Sequence, residues 1–80
     1  MPKLKNLSAK NIISIFETFG FEIVAKKGSH IKLRRTTNNI RQTLTVPNHK
    51  ELDRGTLGAM HNQALRYISE TELHEHFYTE

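Results

Sequence analysis

The sequence predicts an α+β fold: a three-stranded antiparallel sheet, both helices on one face, and a short C-terminal helical extension. Three observations predict it. Two segments with apolar residues at helical spacing bracket three short runs of strand character. Only a few residues separate successive runs, which suits hairpins and leaves no room for a parallel crossover. The second and third runs alternate so that one face alone is apolar, giving both helices a single surface to cover.

Helix one is expected over about Ala9 to Phe19. Ser8 suits the N-cap, because its hydroxyl can accept from an unpaired amide of the first turn. Ile12, Phe16 and Phe19 form the buried stripe, widened by Ile13 and Ile15, and Gly20 offers the left-handed conformation that ends a helix. Phe21 to Ala25 reads as the first strand, with Gly28-Ser29 as a tight turn. In His30 to Arg34, Ile31 and Leu33 point to one face, and His30, Lys32 and Arg34 to the other. Thr36 to Asn39 makes a polar turn. Arg41 to Val46 then puts Leu44 and Val46 on the core face and Thr43 and Thr45 opposite, and Pro47 closes the strand because it has no amide hydrogen. After a loop over Asn48 to Arg54, Gly55-Thr56 opens helix two, whose stripe is Leu57, Met60, Ala64 and Ile68, with Leu65 beside it. Leu73 and Phe77, spaced i, i+4, mark a last helical turn or two.

Eighty residues allow one compact domain, taken as 1–80 with a core over about 7–68 and an acidic extension over 69–80. The chain has no cysteine, which excludes disulfides and thiolate metal sites. No apolar run reaches the ~18 residues of a membrane span, and the N-terminal stretch lacks a signal-peptide core. A soluble, cytoplasmic protein with no membrane contact is expected. The formal net charge is +4 and the isoelectric point about 9.7, so the expected partner is a polyanion. Eleven of the twelve Lys and Arg residues precede Leu57, whereas Glu70 to Glu80 holds four glutamates and no Lys or Arg. The body is basic and the tail acidic.

The densest positive stretch is KKGSHIKLRR, Lys26 to Arg35. A sheet face carrying His30, Lys32, Arg34, Thr43 and Thr45 suits phosphate and hydroxyl groups. Lys32 and Arg34 can hold a phosphate and offset its developing charge. Lys26 and Lys27, with Lys3, Lys5 and Lys10, extend the basic surface. Gly28 and Ser29 shape the turn and are counted with Lys26, Lys27, Lys32 and Arg34 as candidate RNA contacts, Gly28 by leaving room for an approaching backbone and Ser29 as a hydrogen-bond donor or simply a turn residue. A histidine, with an ordinary pKa near 6.5, takes or gives a proton near neutrality. By pattern alone His30 is either such a group or a solvent-facing strand residue. His49, two residues after Pro47, reaches the same rim as an RNA contact or as a cap for its loop. His61, His74 and His76 lack the convergent spacing of a metal site and are read as solvated. Neither a metal nor a cofactor is expected.

Four short pieces then coincide in order and spacing: GF at Gly20-Phe21, KGSH at Lys27 to His30, VPNH at Val46 to His49, and GTL at Gly55 to Leu57. Together they resemble the HicA-like toxins, the mRNA interferases of HicAB type II toxin–antitoxin modules, over nearly the whole span from Leu7 to Ile68. The resemblance implies a double-stranded-RNA-binding-domain-like α-β-β-β-α fold and endoribonuclease activity on mRNA. It also implies a HicB-type antitoxin that covers the active site, and it places the catalytic histidine of the GSH motif at His30. The free toxin is expected to be a monomer. The acidic extension is longer than a minimal member needs. The alternative is a non-catalytic RNA-binding module of the same fold, and a protein-interaction domain is a third class.

Overall fold

A computed structural model describes residues 3–79. The elements in chain order are β1 (Lys3–Leu4), α1 (Ala9–Thr18), β2 (Glu22–Lys27), β3 (His30–Thr37), β4 (Ile40–Pro47), α2 (Arg54–Ala64), α3 (Glu70–Phe77) and β5 (Tyr78–Thr79). Strands β2, β3 and β4 form an antiparallel sheet in that order, the expected meander, and β1 pairs with β5 in a second small sheet. The α-β-β-β-α part has the double-stranded-RNA-binding-domain-like layout. Glu80, last of the tail's four glutamates, lies outside the described residues. No helix among the described residues is long and apolar enough to cross a membrane.

Local chemistry sets the ends of α1. The Ser8 hydroxyl accepts from the Asn11 amide at 3.1 Å, and the Asn11 side chain accepts from the Ser8 amide at 3.0 Å, a reciprocal capping box with Asn in the usual place of Glu or Gln. At the other end Gly20 takes φ +93°, its amide donates to Glu17 O, and the Phe21 amide donates to Phe16 O. Those two bonds are a Schellman motif, and its apolar contact is Phe16 against Phe21, with ring centroids 6.1 Å apart. Phe21 thus belongs to the helix ending, and β2 starts one residue later than its composition suggests. Phe19, expected in the core stripe, is only half-buried; its ring meets His76 edge-on at 5.3 Å.

Two tight turns set the sheet register. Gly28 has φ +58° and is the one positive-φ residue of the first turn, the pattern of a type II′ hairpin. Asn38 and Asn39 both lie in the left-handed region, a type I′ pattern. Two asparagines suffice for that turn, so Thr36 and Thr37 stay in β3 and pair with Arg41 and Ile40. The register between β2 and β3 shifts between Ile23 and Ala25, leaving Val24 unpaired and exposed.

Ile31, Leu33, Leu44 and Val46 are buried beneath Ala9, Ile12 and Phe16 of α1 and Leu57, Met60 and Ala64 of α2, as the alternation predicts. Helix α2 ends at Ala64. Ile68 is buried but lies in the turn beyond it, where its amide donates to Ala64 O, and Leu65 is exposed. The next segment starts its own helix: Ser69 caps α3 by accepting from the Glu72 amide at 3.2 Å. Leu73 and Phe77 are fully buried, with Phe77 6.4 Å from Phe16. The β1–β5 pair was not legible from composition. Lys5 extends it, donating its amide to Phe77 O and its ammonium to Glu75 O at 2.7 Å, so this lysine serves the end of α3 and not an open basic surface.

Candidate nucleic-acid interface

The face of the sheet away from the helices is open, and the β2–β3 ladder decides which residues share it. Lys27 pairs with His30 and Ala25 with Lys32, and Thr45 of β4 stands opposite Lys32. Paired residues share a face. Ala25, Lys27, His30, Lys32 and Thr45 accordingly line one concavity. Arg34 continues the row between Glu22 and Thr43. It is half-buried, and its enclosed Nε donates to no acceptor among the described residues.

Glu22, paired with Arg34, brings a carboxylate to this face without forming an ion pair there. Among the described residues, no carboxylate oxygen lies within ion-pair distance of Lys27, Lys32 or Arg34. The His30 ring is exposed and makes no hydrogen bond within the described residues. An exposed imidazole beside unpaired ammonium and guanidinium groups can meet a phosphodiester without displacing any internal partner.

Not every residue expected at this site stands on it. Lys26 pairs with Ile31 and so faces the helix side of the sheet, where it lines a different hollow with Lys10, Ile13 and Asn48. Gly28 and Ser29 form the hairpin tip. A Cβ added at Gly28 would meet no atom within 4 Å, so the demand for glycine there comes from its positive φ. The Ser29 carbonyl accepts from the Asn48 amide at 2.6 Å, and the His49 carbonyl accepts from the Ala9 amide at 3.1 Å. These bonds tie the hairpin tip to the 47–49 segment and that segment to the start of α1. His49 is exposed, but it lines a hollow with Ser8, Lys10 and Lys50 and not the one around His30.

Several residues escaped the sequence reading. Gln63 of α2 reaches the outer edge of β4, accepting from the Thr45 amide at 2.8 Å and donating to the Thr45 carbonyl at 3.3 Å. Asp53 caps α2 by accepting from the Thr56 amide at 2.7 Å, so the helix begins one residue before the expected Gly55. That amide bond holds the Asp53 carboxyl below the usual carboxylate value, helped by the Thr56 hydroxyl and by nearby His49 against a small opposing effect of burial. The D-x-x-T spacing was the available signal. His61 is not solvated as expected: it is 6% exposed, edge-on to the rings of Phe77 and Tyr78. His74 stacks on Tyr78 at 4.8 Å.

Fold and face together define a small α+β domain of the RNA-binding-domain layout that presents a free histidine among unpaired cations. Compared with models of known families, the chain matches the HicA toxin of bacterial toxin–antitoxin systems over residues 9–65. It belongs to the HicA toxin family and is the toxin of a toxin–antitoxin system, which brings with it an antitoxin partner. Comparison with curated proteins and with solved structures finds no match. The matched span runs from the first residue of α1 to the residue that caps α2, so α3 and the β1–β5 pair lie outside it.

Proposed function

We propose that the chain is a cytoplasmic mRNA interferase: an endoribonuclease that cuts mRNA without a metal ion, with His30 as its general acid or base. The observation that carries this reading is the exposed His30 imidazole, cross-strand from Lys27 and beside Lys32 on an open face whose cations make no ion pair among the described residues. The family's known ribonuclease activity supports it.

In the proposed reaction the substrate's 2′-oxygen attacks the adjacent phosphorus and the bond to the 5′-oxygen breaks. The 2′-hydroxyl gives up a proton and the leaving 5′-oxygen gains one; His30 handles one of these transfers and solvent the other. The products are a 2′,3′-cyclic phosphate and a 5′-hydroxyl. Lys27, Lys32 and Arg34 offset the charge that grows on the phosphoryl oxygens. A HicB-type antitoxin seated on this face would neutralise the toxin by occupying the phosphate positions.

One observation favours a second reading, a non-catalytic RNA-binding module. No described residue orients the His30 ring, and acid–base catalysis gains from such orientation. Incubation of the purified protein with a defined RNA in EDTA separates the two. The expected result is cleavage with cyclic-phosphate ends, reduced roughly 10²–10⁴-fold by His30→Ala with RNA affinity retained. Undiminished cleavage by that variant would sink the role of His30. Cleavage only on adding metal would refute the metal-free route, and binding without any cleavage would select the module.

A further inference from the structure

Two basic hollows, neither lined by His30, lie near α1: one on the helix side of the β2–β3 hairpin, the other between the start of α1 and the segment after β4. One is bordered by Lys10, Lys26 and Asn48 over an apolar floor of Ile13, Ile23 and Ile31. The other is bordered by Lys10, Asn48, His49 and Lys50. Because Lys10 and Asn48 border both, the two hollows adjoin, and together they make up a basic groove region reaching from β2 to the start of α1. No carboxylate pairs with Lys10, Lys26 or Lys50 among the described residues, although Glu17 borders the β2 end.

Strand β2 separates this groove from the His30 face, and it is a thin divider. All six of its residues are exposed, and it is the sheet's edge strand with no neighbour on its outer side among the described residues. The other edge, at β4, is closed at Thr45 by Gln63. Lys26 and Lys27 are consecutive yet face opposite sides, so one residue step of β2 carries positive charge from the His30 face to the groove.

Resting on the ribonuclease reading above, we propose that the groove is an extended subsite for single-stranded RNA. The strand crosses the free edge of β2, with the scissile phosphate on the His30 face and a flanking segment in the groove. Lys10 and Lys26 hold flanking phosphates, and the isoleucine floor receives a base. A duplex is too stiff to turn round one strand, so the substrate class is unpaired RNA. Charge complementarity selects this occupant, because the groove joins three unpaired ammonium groups, which suit backbone phosphates, to an apolar floor that can cover the face of an unstacked base.

The test compares fluorescent single-stranded RNAs of about four and about twelve nucleotides. Binding is measured on full-length His30→Ala protein, so that the RNA stays intact, and cleavage on the protein with His30 present. The longer RNA should bind more tightly, and Lys10→Gln with Lys26→Gln should reduce that long-over-short advantage on the order of tenfold. The salt slope for the long RNA should fall by about 1.4, from two lost phosphate contacts at about 0.7 each. Ser14→Glu, an exposed helix position on the groove wall, should reduce the advantage without removing any lysine. An advantage unchanged in both variants overturns the subsite, as does loss of antitoxin binding with RNA binding untouched. If His30-bearing protein cleaves RNA but shows no length advantage, the subsite alone fails. If it neither binds nor cleaves RNA, the ribonuclease reading fails with it.

Discussion

The guanidinium of Arg35 lies over the ring of Phe21, 4.7 Å from its centroid, and is bonded on three sides. Nε donates to Gln42 Oε1 at 2.7 Å, Nη1 to Phe19 O at 2.8 Å and Nη2 to Tyr67 O at 3.0 Å. One side chain of β3 thereby ties β4, the end of α1 and the turn after α2. It stands in the densest basic stretch of the chain, yet its charge is spent on the fold. Arg34, its neighbour, faces the other way with an unpaired Nε.

Arg35→Met should therefore lower stability by about 2–3 kcal/mol, since hydrogen bonds to a charged group and the ring contact are lost together. Arg35→Lys should recover little, because an ammonium cannot reproduce the planar fork. Urea denaturation measures both. RNA cleavage per folded molecule should stay near that of the parent, and a drop in cleavage larger than the drop in folded fraction would mean that Arg35 serves substrate.

The C-terminal extension lies outside the matched family span but inside the core. Leu73→Ala should cost about 2–5 kcal/mol, as expected for a fully buried leucine in the core cluster. Removing residues 69–80 should uncover Phe16 and the α2 stripe and promote aggregation. Unchanged urea midpoints for Leu73→Ala would show the extension to be detachable.

How far the sequence could be read follows from the range of each signal. The sheet face was legible because Ile31, Leu33, Leu44 and Val46 alternate within single strands, where side-chain direction has a period of two. The same rule placed His30 and Lys32 together. It could not place Lys26, because the apolar residues of β2, Ile23, Val24 and Ala25, are consecutive and do not alternate, and a bulge at Val24 changes its phase. The β1–β5 pair joins Leu4 to Tyr78, two-residue strands from opposite ends of the chain, and nothing periodic can mark two residues. His61 looked polar in a helix of ordinary pattern; only the arrival of Phe77 and Tyr78 from the distant C-terminus makes its position interior. Asp53 and Ser69 were different. Both caps follow short local spacings that were present in the chain and passed over.

Acid should weaken the cap on α2 in a defined direction. The Asp53 carboxyl is held below its ordinary value by the Thr56 amide, so the folded state favours its ionised form. Its contribution is fully present above the unfolded carboxylate value of about 4 and is lost as pH falls through the lower folded value. Asp53→Asn keeps an acceptor for Thr56 and should flatten this part of the acid response. Comparing urea midpoints of parent and variant from neutral to acidic pH isolates it from other carboxylates. Parallel curves would mean that the cap does not depend on ionisation.

The last prediction concerns the imidazole buried between α2 and β5. His61 Nε2 lies 3.1 Å from Glu70 Oε2, close enough for an ion pair, but the nitrogen has no well-aligned hydrogen-bond partner. Glu70 divides its carboxylate, its other oxygen lying 3.3 Å from His74 Nδ1. The imidazole therefore contributes mainly as an aromatic ring packed edge-on to Phe77 and Tyr78, each 5.3 Å away. His61→Phe preserves that packing and removes an imperfectly paired polar atom, so stability should change by less than about 1.5 kcal/mol. His61→Ala empties the space and should cost about 2–4 kcal/mol. Denaturation of the pair in urea distinguishes packing from pairing: equal losses in both variants would mean that the link to Glu70, and not the ring, holds the C-terminal helix in place.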